Sequence, residues 1–308
     1  MTEAQLLKVI QEACPSPPAP FGIGDDCATI HNHAYNYVLK VDSIIEHVHF
    51  TLDLSGELIG RKAICRVLSD FAAMGGATPL AFLVSLTLSS RHDNSLISSV
   101  YKGVAKALTE FGGQLVGGET SHYKELEGDN TLLPLNISVT GLASINKDRI
   151  LSRQGASSGD AIFVTGKLGY QLESNHHLNF VPRLQQAQWI ANHGYASAMM
   201  DLSDGLSMDL PRLCKQSHCH YQLDLTTIPC CEGSSIKQAL SLGEDYELLF
   251  TAPQDEVPQL QKDWQQQFPN LKLSQIGIMC DTDISSSPEL HGGWDCFNSR
   301  FNGSSYKT

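Results

Sequence analysis

The 308-residue chain has no run of lysine or arginine, and acids outnumber bases 33 to 21, for a formal charge of −12 and a pI near 5.4. That balance argues against a nucleic-acid groove or a patch for an anionic membrane surface. Phosphates stay within reach, because Mg²⁺ can bridge carboxylate to phosphate. No apolar run reaches spanning length, so no membrane segment is expected. The opening MTEAQLLK has no basic stretch leading into an apolar core, so no secretory leader is expected either. The nine cysteines are odd in number and lack zinc-like spacing; Cys214, Cys219 and the flanking His218 and His220 fall short of a zinc pattern. Reduced thiols of a cytoplasmic protein are the expectation. Solenoid periods and low-complexity tracts are absent as well. The length permits a substantial core and suggests two domains without metal or disulfide staples.

What the chain does have is aspartate at the edges of apolar runs. Leu202, Leu206, Leu210 and Leu213 recur at helical spacing, which predicts a buried stripe with Asp201 and Asp204 projecting from the first turn of the same helix. Ser203 or Asp204 as an N-cap, with the other acid against the positive helix end, explains the pair without a ligand. Asp26 follows Gly22-Ile-Gly24, which reads either as a flexible arm closing over a phosphate or as a turn before a strand at 27–30. Asp42 is expected at the end of a strand from Tyr37, and Asp70 near the C-terminus of a helix over 55–74, where it opposes the helix dipole. Acids gathered from these sites would repel one another unless a divalent cation neutralised them, so they suggest one metal cluster.

Strands are expected at 81–88, 132–143, 161–165, 221–225 and 271–278, and helices at 3–13, 94–110, 183–193 and 256–267. The stretch 114–120 reads as a strand running into a glycine turn with Glu119 exposed at its tip, and 241–251 as a turn entering a strand. This alternation is α/β (α+β). The polar, turn-rich segment 144–160 marks a boundary between domains 1–143 and 144–308. It contains Arg153, either solvent-exposed or reaching a phosphate from the connector. His49, beside Val48 and Phe50, is either packed or a ligand contact.

Eight strings occur in order over nearly the whole chain: GIGDDCA (22–28), DSIIEHVHF (42–50), GRKAICRVLSDFAAMGG (60–76), LVGGETS (115–121), SRQGASSGDAIFVTGKLG (152–169), MDLSDGLSMDL (200–210), LGEDYELLFTAP (242–253) and GWDCF (293–297). Together they resemble the thiamine-monophosphate kinase family of the aminoimidazole-ribonucleotide synthetase-like superfamily. The resemblance implies a two-domain architecture whose N-terminal domains pair in a homodimer. It also implies ATP and thiamine monophosphate as substrates and more than one Mg²⁺. Carried over by position, Asp26, Asp42, Asp70, Glu119, Asp201 and Asp204 match the metal-binding acids, with Asp70, Asp201 and Asp204 central to catalysis. Tyr101, Gly118, Glu119, Arg153 and Ser203 match ATP contacts, and His49, Glu244 and Trp294 match contacts to the thiamine moiety.

Three departures stand out. Val41 replaces a hydroxyl residue beside Asp42, Glu119 replaces an aspartate, and Tyr170–Phe180 replaces a small-residue helix after Gly169. Two other functions fit part of the pattern. One is another ATP-using enzyme of the superfamily; the other is a catalytically silent ATP-binding dimer, motivated by Val41 and Glu119.

Overall fold

A computed structural model describes residues 3–14, 24–31, 35–124, 133–282, 290 and 292–294. Gly22, Ile23, Leu132 and residues 295–297 of the GWDCF string lie outside the described residues. After helix α1 (Glu3–Ala13), the chain forms β1 (Ala28–His31), β2 (Tyr35–Ile45), α2 (Gly56–Ala73), β3 (Thr78–Leu88), α3 (Asn94–Phe111), β4 (Gln114–His122) and β5 (Asn136–Asn146). The five strands make one sheet in the order β1-β2-β5-β3-β4, antiparallel except for the β3–β4 pair.

The second half supplies β6 (Ala161–Thr165), α4 (His176–Asn179), α5 (Leu184–His193), β7 (Ala198–Asp201), α6 (Leu206–Ser217), β8 (His220–Leu223), α7 (Ile236–Ser241), β9 (Leu248–Ala252), α8 (Val257–Gln267) and β10 (Leu273–Cys280). Its antiparallel sheet runs β7-β9-β6-β10-β8. Mixed α/β architecture was therefore legible from the alternation of patterns. The short helix α7, held by a Ser235–Gln238 capping box, was not.

Helix α2 organises the molecule. Ser55 caps it by accepting from the Leu58 amide, and most of its length is buried. It packs on β2, β5 and α3 on one side and on α4, α5 and β7 on the other, so it lies between the two halves. The contact with α3 is backbone-close. A Cβ on Gly60 would meet the Val100 carbonyl oxygen at 1.9 Å, and one on Gly103 would meet that of Glu57 at 2.0 Å. Only glycine permits that approach.

Three expectations about local structure are corrected. Asp42 does not end its strand, because Ser43–Ile45 continue to pair with β5. Glu119 does not cap a glycine turn: Gly117, Gly118 and Glu119 remain in the ladder opposite Leu83, Val84 and Ser85. Leu202 is not helical, and Asp201 and Asp204 do not share a helix. Asp201 is the last residue of β7, and α6 begins only at Leu206 after Gly205 turns with φ 99°. The Leu202–Leu213 stripe is real as burial but combines a strand exit with a helix. Residues 242–247 form the expected turn into β9, with Glu244 and Tyr246 at left-handed φ values of 55° and 51°.

Candidate active site

Three of the expected acids meet. One carboxylate oxygen from each of Asp26, Asp70 and Asp201 lies within 4.8 Å of the others, and all three residues are buried. Asp26 comes from the bend before β1, Asp70 from the last turns of α2, and Asp201 from the end of β7, so the cluster needs both halves of the chain. Beside it, Asp201 accepts from Ser69 Oγ at 2.6 Å, Asp70 from Lys40 Nζ at 2.7 Å, and Asp26 from the Arg153 guanidinium through both of its oxygens. Arg153 is thus an inward-facing residue of the connector. Burial, reinforced by Asp26, pushes the carboxyls of Asp25 and Asp201 up to about 7. Burial also drives Asp70 well above the carboxylate range, against the pull of Lys40. Such groups ask for more positive charge than the protein provides.

Asp42 sits next to this group on the inward face of β2. Burial raises its carboxyl, but Arg66 at 3.1 Å and Lys40 outweigh that, so the net displacement is downward. Asp204 turns toward Arg212, which also holds the buried Asp209. Neither Ser203 nor Asp204 caps α6, whose N-cap is Gly205 without a side-chain bond; instead the Asp209 carboxylate accepts from the backbone amides of Ser203 and Asp204 and fixes that turn. Glu119 lies apart from the three aspartates, exposed on the edge strand β4 in one cross-strand row with Ser85, Ser138 and Ser43. Val41 is on the same face as that row, 60% exposed, and so does not border the three aspartates.

A cavity of ≈ 500 Å³ opens where α3 meets β4, lined by Tyr101, Gly118 and Glu119 together with Val84 and Leu115. A side chain on Gly118 would collide with the Val84 carbonyl oxygen at 1.8 Å, so the residue leaves bare backbone at the cavity wall.

The remaining candidates converge near Asp204. Trp294 donates its amide to the Asp204 carbonyl at 2.9 Å, and its ring is 5.6 Å from that of His49. The Glu244 amide donates to the Ser203 carbonyl at 2.7 Å and that of Tyr246 to Leu202 at 2.8 Å, which ties the 244–246 loop to the Asp204 turn. Lys62, fully buried on α2, donates both to Glu244 Oε1 at 2.7 Å and to the His49 carbonyl at 2.9 Å. The segment that departs from the family pattern packs here too: Phe180 stacks on Tyr246 with ring centroids 3.9 Å apart.

Sequence reasoning did not single out Lys40, Lys62, Arg66, Asp209 or Tyr246. For Lys40 a signal existed, since alternation along β2 places it on the same face as Asp42. For Lys62 the signal was a lysine among apolar neighbours in a helix otherwise buried.

Asp245 offers a pH test of this loop. Its Oδ1 accepts from the Gly169 and Tyr170 amides, its Oδ2 is buried without a partner among the described residues, and burial pushes its carboxyl up to about 8. Between about pH 4 and 8 the folded chain holds a proton here that the unfolded chain has lost. This residue's contribution to stability therefore declines as pH rises through that window. Asp245→Asn removes the ionisation while keeping an acceptor for both amides. The expected result is a melting temperature raised by roughly 4 °C or more at pH 8.5, with little change near pH 4.5. Parallel pH slopes for parent and variant in a thermal melt would contradict it.

Comparison with known proteins agrees with this geometry. The family described as AIR synthase related protein, N-terminal domain, matches residues 24–143. Thiamine-monophosphate kinase of Rhodopirellula baltica is 34% identical, covering 80% of this chain and 81% of its own. Among solved structures, AaThiL complexed with AMPPCP and TMP superposes with a TM-score of 0.78 at 27% identity, over 96% of this chain and 97% of that one. Thiamine monophosphate kinase from Aquifex aeolicus superposes with a TM-score of 0.74 at 27% identity, over 91% and 95% of the two chains. With identity above 30% over most of both chains and the same fold throughout, the chain belongs to the thiamine-monophosphate kinase family.

Proposed function

We propose that the protein transfers the γ-phosphoryl group of ATP to thiamine monophosphate, giving thiamine diphosphate and ADP. The observation that carries this reading is the meeting of Asp26, Asp70 and Asp201 between two halves whose fold matches a relative complexed with AMPPCP and TMP. Three buried carboxylates with hard oxygen donors suit Mg²⁺, and the Ser69 hydroxyl is the one side-chain hydrogen-bond donor to Asp201 among the described residues. Bound there, Mg²⁺ would neutralise charge on the phosphates being brought together. Asp42 and Asp204 would extend that ligand set, and Glu119, next to Gly118 at the α3–β4 cavity, would act from the nucleotide side.

In this reading Tyr101, Gly118, Arg153 and Ser203 hold ATP. His49, Glu244 and Trp294 hold the thiamine moiety, with Lys62 fixing the position of the first two. Burial, followed by the nearby Arg66, lowers the His49 imidazole to about 4, so it meets the ligand as a neutral ring. Its Nδ1 already accepts from the Ile45 amide at 3.0 Å, which leaves Nε2 as the proton-bearing donor. The acceptor is itself a phosphate, already mostly dianionic at neutral pH, so its oxygen attacks without a strong general base. No phosphoenzyme is required, because the proposed residues are ligands and positioners.

The domain division at 143/144 assigns nucleotide binding and pairing to the first half. The outer face of the first sheet, where Val41 and Leu83 stand 60% and 45% exposed, supports a homodimer formed through that face. No helix among the described residues is long and apolar enough to cross a membrane, and a cytoplasmic setting suits an enzyme that uses ATP. Turnover of ATP with thiamine monophosphate, and little with thiamine, is the expected assay result. Equal turnover of free thiamine would overturn the acceptor assignment, and none with either would favour a silent nucleotide binder.

A further inference from the structure

Lys40 is a cation at the acid cluster. Inward-facing on β2, its Nζ donates to Asp70 Oδ1 at 2.7 Å with the side chain 23% exposed, and Asp42 is two residues along the same face. Arg153 compensates Asp26 from a connector, whereas Lys40 projects from a strand paired with β5 along its whole length and, where it begins, with β1. Its backbone cannot swing away as a loop can, so its charge remains part of the site. Asp201 is left without an ion pair of its own among the described residues, its closest donor being Ser69.

We propose that Lys40 is a resident cation of the cluster, its ammonium taking up at Asp70 and Asp42 the place that one divalent ion would otherwise fill. This rests on reading Asp26, Asp70 and Asp201 as divalent-metal ligands. Three consequences follow. The nucleotide-free protein binds fewer divalent ions than its inward-facing acids would admit. The ion nearest Asp70 is held more weakly than one near Asp201. The cluster also remains partly neutralised when metal is scarce, which limits repulsion among the buried carboxylates.

The test is Mn²⁺ binding to the full chain without nucleotide or thiamine monophosphate, followed by electron paramagnetic resonance and calorimetry. Lys40→Met keeps length and removes charge, Lys40→Gln also keeps a hydrogen-bond donor, and Lys40→Arg keeps the charge. Lys40→Met or Lys40→Gln should bind one more Mn²⁺ per chain, or bind at least about tenfold more tightly, since a positive charge close to the ion is gone. Mn²⁺ should raise their melting temperatures more than it raises the parent's, and Lys40→Arg should behave as the parent.

Equal stoichiometry and affinity in parent and neutral variants would overturn the proposal while leaving the kinase reading intact. Failure of both neutral variants to fold even with saturating Mn²⁺ would also overturn it, by showing that a divalent ion cannot replace the ammonium. A parent that binds no Mn²⁺ would remove the metal reading as well.

Discussion

Asp201→Asn is expected to lower turnover by at least roughly 10²–10³-fold while leaving the melting temperature unchanged or higher. The two effects separate because Asp201 is costly in the fold itself. It is 4% exposed, and burial with Asp26 nearby pushes its carboxyl up to about 7. Asparagine keeps the shape and an oxygen to accept from Ser69, so the hydrogen bond at 2.6 Å survives. What disappears is a negative charge among like charges, which relieves the metal-free protein, and a ligand for the ion, which impairs the reaction. Steady-state rates and thermal melts without metal measure the two sides. A large drop in melting temperature with activity retained would assign Asp201 to structure instead.

Lys62→Met should have the second-largest effect, and it should fall unequally on the two substrates. The ammonium is fully buried and spans α2, the His49 carbonyl and Glu244. Burial pushes Lys62 below its ordinary pKa, whereas Glu244, only half-buried, is held below its own by Lys62 and Arg66. The two displacements differ because Lys62 has one carboxylate partner and Glu244 has two cations beside it. Methionine matches the stem but leaves Glu244 with the Tyr246 hydroxyl and the more distant charge of Arg66, and the His49 carbonyl without that donor.

Breaking one side of a buried pair costs about 3–5 kcal/mol, to be read from denaturant unfolding. The KM for thiamine monophosphate should rise by about tenfold or more, the equivalent of about 1.4 kcal/mol, while the KM for ATP changes much less. Equal rises in both would mean a general loosening of the fold rather than a displaced thiamine site.

Local elements were readable wherever one periodicity governed a segment. The stretch 94–110 reads as a helix, and the structure places it at Asn94–Phe111, capped by Asp93, whose side chain accepts from the Leu96 amide. Expectations failed where tertiary contacts overrode local pattern. The leucines at 202, 206, 210 and 213 share helical spacing, yet Leu202 belongs to a strand exit because its amide donates to the Glu247 carbonyl. Gly117-Gly118 has the composition of a turn, yet pairing with β3 keeps it extended.

The sequence by itself determined the mixed α/β alternation and most of the longer strands and helices, that carboxylates recur at the edges of apolar runs, and which family those strings resemble. Spacing along one chain is enough for that, because backbone propensity and side-chain period act over a few residues. Which acids meet was decided only by the tertiary structure. Asp26, Asp70 and Asp201 are far apart in the chain and come together because α2 is packed between two sheets. The same packing delivers Lys40 to Asp70 and Lys62 to Glu244, and it turns Val41 and Glu119 to another face. Charge pairing acts over a few ångströms of space, and only the folded chain sets those distances.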